Sequence, residues 1–150
     1  MITLEVTHRF EQSADQVWRV AGEFGGLQAW LPGVTGCRVE GSGAANAGGN
    51  AERRVTLLDG SITRERLESL DDANRCYEYS ILEAKGFDAD SEYRASFQVL
   101  PLASGGSEVH WGVKLRLPAS IPADKSEKVK TRIAAMYAMF LQNLASVLAR

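Results

Sequence analysis

Residues that carry metal, redox and nucleophile chemistry are scarce in this 150-residue chain, which holds two cysteines and two histidines. Cys37 and Cys76 stand far apart with no C-x-x-C, and His8 and His110 add no clustered ligands, so no metal or other cofactor is expected. Both thiols read as reduced, mostly buried groups, since a free cysteine behaves as a small hydrophobe. No serine sits in a G-x-S-x-G elbow and neither cysteine has a histidine partner in a motif, which leaves nucleophilic catalysis without support. Charge of one sign is lacking too. Lys+Arg number 17 against 19 Asp+Glu, a net charge of −2, with none of the basic excess that nucleic acid requires. No apolar run approaches the ~20 residues that span a bilayer, so integral membrane association is not expected. The opening MITLEVTHRFEQ places Glu5, His8, Arg9 and Glu11 where a signal peptide needs its apolar stretch. A single cytoplasmic domain over residues 1–150, monomeric or weakly dimeric, is the expectation. Hydrophobic residues make up 45% of it, enough for a core without disulfide or metal staples.

Periodicity gives the elements. Residues 2–10 alternate Ile2, Leu4, Val6, His8 and Phe10 against polar neighbours, as in a half-buried strand. Ser13-x-x-Gln16 forms a capping box for a helix carrying Val17, Trp18, Val20 and Ala21. Gly25-Gly26 ends it, and a second short helix over Leu27 to Leu31 stops at Pro32-Gly33. The run from Gly41 to Asn50 reads as a mobile loop, too small and flexible to pack. Strands follow at 34–41, 51–58, 62–70, 75–83, 93–100 and 108–117, joined by hairpin turns such as Asp59-Gly60 and Ser104-Gly105-Gly106. After Pro118 and Pro122, Asp124-x-x-Glu127 begins a long helix with Val129, Ile133, Met136, Tyr137, Phe140 and Leu144 on one face. The basic run Lys125 to Arg132 is its wet side, and Met136 and Met139 are expected to fill the core or a cavity. The fold class is α+β: one curved antiparallel sheet of seven strands packed on one long helix, with two short helices after the first strand.

Strand parity then sorts faces. Val109, Trp111, Val113 and Leu115 point inward, as do Tyr93, Ala95, Phe97 and Val99, and Tyr77, Tyr79 and Ile81. His110 falls on the outward parity, as a solvated sheet histidine. On 62–70 the face carrying Ile62, Arg64, Arg66 and Glu68 belongs in water, which puts Glu65 inside between Thr63 and Leu67. Its hairpin partner buries Val55 and Leu57 and takes Arg53 inward with them. An inward acid and an inward base on adjacent strands are expected to pair, because burying either charge alone is costly. Large aromatics with a few converging polar heads suit a ligand pocket. They equally suit a core whose tyrosine hydroxyls reach the rim and whose Arg53 and Glu65 form a structural pair.

In this order and spacing, Val17-Trp18, Phe24-Gly25-Gly26-Leu27, Trp30-x-Pro32, Cys37, Asp59-Gly60, Glu65-Arg66-Leu67, Leu70-Asp71-Asp72, Arg75 through Ile81, Tyr93, Val109-x-Trp111 and Tyr137 with Phe140, Leu141 and Leu144 carry a resemblance. The chain resembles the START-like, or SRPBCC, superfamily with the helix-grip fold of the birch pollen allergen. Within it the polyketide cyclase/dehydrase-like branch, related to the plant abscisic acid receptors, is the most similar. The resemblance implies a long C-terminal helix gripping a seven-stranded sheet around a hydrophobic cavity. It also implies that Glu65, Tyr79, Tyr93 and Phe140 face that cavity. Three positions depart from the receptors. Gly36 stands where they use a lysine for an acidic hormone, the turn Asp59-Gly60-Ser61 is too tight to be their gate, and Trp111 replaces a cavity acid.

Two functions fit these readings. The first is binding or carriage of a small hydrophobic or aromatic molecule. Arg53, Glu65, Tyr77, Tyr79 and Tyr93 would orient its polar handle, and Val55, Leu57, Phe97, Trp111, Ile133, Tyr137 and Phe140 would form the wall. The alternative is a polyketide cyclase or aromatase acting on a polyketide-like or aromatic substrate. In it Glu65 would move a proton and Tyr93 or Tyr79 would donate to a substrate carbonyl. A protein that docks a partner chain through its sheet or helix is a third possibility.

Overall fold

The computed structural model describes residues 1–150. Its strands are β1 (Ile2–Phe10), β2 (Val34–Glu40), β3 (Glu52–Leu57), β4 (Ile62–Asp71), β5 (Cys76–Glu83), β6 (Glu92–Pro101) and β7 (Ser107–Arg116). They form one antiparallel sheet in the order β1-β7-β6-β5-β4-β3-β2. From β2 to β7 the chain advances one neighbour at a time, and β7 then pairs with β1 from Ile2↔Leu115 to Phe10↔Ser107. The passage from one sheet edge to the other is made by α1 (Ala14–Ala21) and a 3-10 turn at Leu27–Ala29. The sheet curves around α2 (Ser126–Leu148), as the helix-grip expectation requires. No helix is long and apolar enough to cross a membrane.

The capping box forms: Gln16 N donates to Ser13 Oγ at 3.2 Å, and Ser13 N donates to Gln16 Oε1 at 2.8 Å. α1 then buries Ala14, Val17 and Ala21. α2 buries Tyr137, Leu141 and Leu144 and runs along β1. Asn143 Nδ2 donates to Trp30 O at 2.6 Å and ties α2 to the 3-10 turn. Met136 and Met139 are not core filler. They are 39% and 50% exposed, because each helical residue turns about 100° and a seam at 137, 141 and 144 leaves 136 and 139 facing away. The thiols are not deeply buried either, since Cys37 and Cys76 are both partly exposed.

The Gly41–Asn50 segment is a packed loop rather than a loose one. A 3-10 turn at Ala45–Ala47 buries the neighbouring Ala44, and Gly49 N donates to Ala44 O at 2.8 Å. Asn50 N then bonds Ser42 O, and Ala51 N bonds Gly43 O at 3.0 Å. Glycine allows this by close approach, not by looseness. A Cβ at Gly49 would lie 2.3 Å from the Gly43 carbonyl carbon. Backbone stands on both sides of that contact, so neither partner can rotate away. Gly49→Ala is therefore expected to lower unfolding stability by about 1–3 kcal/mol, in the range of other overpacked sites. Urea unfolding checks this, and an unchanged midpoint would show that the loop is not held as described.

Candidate functional site

Adjacent registration of β3 and β4 sets the Arg53–Glu65 pair at the centre of the site. The two residues are directly opposite, and Arg53 Nε donates to Glu65 Oε1 at 2.6 Å. Arg53 is 1% exposed and Glu65 8%. With Ser107 they are the only polar residues in the buried set. The inward acid–base pair expected from parity is present. Arg53 Nη1 donates to Phe24 O at 2.9 Å, and the guanidinium carbon lies 4.4 Å from the Phe24 ring centroid and 4.8 Å from that of Tyr79. Burial alone would lower the guanidinium pKa, but Glu65, Tyr77 and Tyr79 outweigh it and the net shift is upward.

Phe24 is a site residue that strand parity missed, because it lies in the connection after α1. Its signal was the following Gly25, where a Cβ would come 2.8 Å from Val39 Cγ2. A side chain there would have to push Val39 aside or lift the connection off β2.

Next to the ion pair lie three phenols and an indole. Trp111 Nε1 donates to Tyr79 Oη at 3.2 Å, Tyr79 Oη meets Tyr137 Oη at 3.5 Å, and Tyr137 Oη meets Tyr93 Oη. Trp111 stacks on Tyr137 with centroids 3.9 Å apart, and Phe97 meets Trp111 edge-on at 5.3 Å. Tyr77 stacks on Phe97 at 5.7 Å. Burial pushes the hydroxyls of Tyr77, Tyr79, Tyr93 and Tyr137 upward. All four are uncharged donors at neutral pH.

Every predicted wall residue lies on or against this interior, but not to one depth. Val55, Tyr77, Tyr79, Tyr93, Phe97, Trp111 and Tyr137 are buried, whereas Leu57, Ile133 and Phe140 are partly buried and pack on the core. Trp30, 1% exposed, joins them against Phe97 and Trp111, and its Nε1 is a buried donor without a partner. The inward aromatics close on one another. Concavities lie elsewhere: a groove of about 1130 Å³ over the outer face beside Glu5, Lys114 and Lys130, a hollow of about 370 Å³ beside Ile62 and Phe87, and one of about 330 Å³ beside Cys76, Gln98 and His110. The first two are lined by no predicted ligand residue, and the third touches Tyr77 and Phe97.

His110 faces outward, as expected, yet it is not merely solvated. Its Nδ1 lies 3.0 Å from Glu5 Oε1 and its Nε2 2.7 Å from Glu108 Oε1. Partial burial opposes its charge, but the two carboxylates prevail and raise its pKa. It serves to fasten β1 to β7.

Removing one member of a buried pair costs more than removing both. Arg53→Met leaves Glu65 buried without its partner and Phe24 O without its donor, and is expected to cost about 3–5 kcal/mol. The double variant Arg53→Met/Glu65→Leu is expected to recover most of that loss in urea unfolding. A double variant as unstable as the single one would contradict the pairing.

A family model described as polyketide cyclase/dehydrase and lipid transport matches residues 1–149. Among solved structures, the protein XoxI from Bacillus cereus is 26% identical, with a TM-score of 0.81 over 99% of this chain and 96% of that one. An uncharacterized protein from Bacillus thuringiensis is 25% identical, with a TM-score of 0.80 over 99% and 100%. A protein from Thermobifida fusca, 22% identical with a TM-score of 0.80 over 100% and 95%, shares the fold. No curated protein matches the chain.

Proposed function

The chain belongs to the polyketide cyclase/dehydrase and lipid transport family, and on that premise we propose that it binds a small hydrophobic or aromatic molecule between the sheet and α2. Fold and family suggest a ligand-binding cavity of this kind. The observation that carries the reading is a buried ion pair set among aromatic rings, with one carboxylate oxygen to spare. Glu65 Oε1 is taken by Arg53. No hydrogen bond reaches Oε2, and this atom is not among those sealed from solvent without a partner. An unmet atom sealed in the interior would cost about 1–3 kcal/mol, and Oε2 is spared that cost because it is not sealed. One left accessible suits a ligand donor.

On this reading Arg53 fixes the carboxylate, Glu65 and Tyr93 hold the polar handle, and Trp111, Tyr137 and Phe140 form the wall. Catalysis by Glu65 and Tyr93 has no observation in its favour beyond the family description, so binding is the conclusion. Entry requires that the aromatic wall part. The apparent affinity is then the intrinsic one reduced by the fraction of molecules already open.

The test is titration of isotope-labelled protein with 1-aminoanthracene, an uncharged aromatic amine, followed by amide NMR. One-to-one binding should shift signals around Tyr79, Tyr93, Trp111 and Tyr137 and along the facing side of α2. Shifts confined to the outer groove near Glu5, Lys114 and Lys130, or no binding at all, would overturn the assignment.

A further inference from the structure

Charge on α2 is arranged unlike charge on the sheet. Every arginine on the strands stands within reach of a carboxylate, from Arg9 with Glu108 to Arg116 with Glu92. Lys125, Lys128, Lys130 and Arg132 make no salt bridge, and from Lys128 to Arg150 the chain holds no Asp or Glu.

Three of these cations share a line with two methionines. Lys125, Lys128, Arg132, Met136 and Met139 follow at helical spacings of three and four, on the side of α2 away from Tyr137, Leu141 and Leu144. All five are exposed, and the methionines are the only large apolar side chains exposed on α1 or α2. The line is about 20 Å long. Glu127, the only acid in α2, lies off it, in the groove beside Lys130.

Helix stability does not explain this placement. A helix N-terminus carries partial positive charge, so its first turn favours acids. Here Lys125 occupies the cap position, where its side chain can accept no hydrogen bond, and Lys128 sits within the first turn. Both add positive charge where the helix already supplies it. The result is a cationic face on a chain whose net charge is −2, and it suits a partner that brings anions.

Two kinds of partner present anions beside apolar groups. A lipid surface is met by Leu, Phe or Trp side chains that insert, and this line has none. A lipid surface would also feel the acidic balance of the whole chain. A protein segment touches only the line itself. Methionine, unbranched and adaptable, suits a partner's apolar side chains.

We propose that this face of α2 is a docking surface for an acidic amphipathic helix of a partner protein. The partner's carboxylates meet Lys125, Lys128 and Arg132, and an apolar side chain rests against Met136 and Met139. The surface lies across α2 from the interior, so a partner can dock whether or not the interior holds a guest.

The test titrates isotope-labelled intact protein with a synthetic helical peptide of about 16 residues, built from Glu, Leu and Ala and matched in length to the surface. Amide NMR should show shifts from Lys125 to Met139, together with the methionine methyl signals, and none at Tyr79 or Trp111. Raising NaCl to about 0.5 M should weaken binding about tenfold. The same peptide with Lys for every Glu should not bind. Lys128→Glu/Arg132→Glu should weaken the acidic peptide about tenfold or more. Lys128→Glu alone should hold or raise the urea midpoint, since an acid suits the first turn and pairs with Arg132 four residues on.

No shift along this face at millimolar peptide, equal binding of the acidic and basic peptides, or an affinity unchanged in Lys128→Glu/Arg132→Glu would overturn the proposal. So would tighter binding to vesicles of phosphatidylcholine with about one third phosphatidylglycerol, which would make the occupant a lipid surface. A lower urea midpoint in Lys128→Glu would assign the cation to the fold instead. Should the double variant lose its fold by circular dichroism, salt dependence and the two peptides on the unaltered protein still decide.

Discussion

The Arg53–Glu65 ion pair does more than neutralise two charges in the interior. It fixes how β3 lies on β4. On either side of it the paired residues are Arg54 with Arg64 and Glu52 with Arg66, and these point outward. A slip of β4 by one residue would turn Glu65 out and bring Arg64 and Arg66 inward beside Arg53, leaving unpaired charges in the aromatic interior at a cost of several kcal/mol per ion. Arg53 also reaches across to Phe24 O, so the connection after α1 is positioned by the same guanidinium. One buried pair thereby sets strand register, the seat of the connecting segment and the polar end of the site.

Around that pair the interior is aromatic rather than aliphatic, and this shapes what it can do. Rings such as Trp111, Tyr137 and Phe97 bury large areas and carry N–H or O–H groups at their rims. They can close on one another, as Trp111 and Tyr137 do, and on the proposed binding reading the same faces would meet an aromatic guest. A guest would exchange ring–ring contacts for ring–guest contacts of like kind, so opening need not forfeit the core's stacking energy. Leu57, Ile133 and Phe140, only partly buried, stand at the margin of this interior.

Much of the fold and of the site was legible in the sequence because strands write their faces in parity. The odd positions from Val109 to Leu115 and from Tyr93 to Val99 are all buried, and the inward pairing of Arg53 with Glu65 followed from the same alternation. What escaped was information that parity does not carry. Phe24 lies in a connection with no period. The Gly41–Asn50 loop packs because Gly43 and Gly49 touch through backbone, a property glycine content alone does not distinguish from flexibility. Met136 and Met139 were misplaced because apolar spacing on a helix admits seams differing by one residue, and only contact with β1 chooses between them. The closeness of the aromatic rings was also invisible, since pattern gives the direction of a side chain and not its rotamer.

The division of labour between the sheet's two faces completes the picture. Outside, cross-strand pairs join Arg64 to Glu52 and Glu83, Arg94 to Glu78, Arg116 to Glu92 and His110 to Glu5. Each lies on the exposed or half-exposed outer face and is worth about 1 kcal/mol or less. Together they span the strands and account for a chain rich in charge with a net of only −2. Inside, α2 lies close to β1 and meets the strands beyond it mainly through side chains such as Tyr137. The backbone ladder from β7 to β2 therefore does not depend on where those side chains rest. Parting Tyr137 from Tyr79 and Tyr93 breaks hydroxyl contacts and a ring stack but no sheet hydrogen bond. Change on the concave side can thus occur while the strands, and with them the Arg53–Glu65 pair, stay in register.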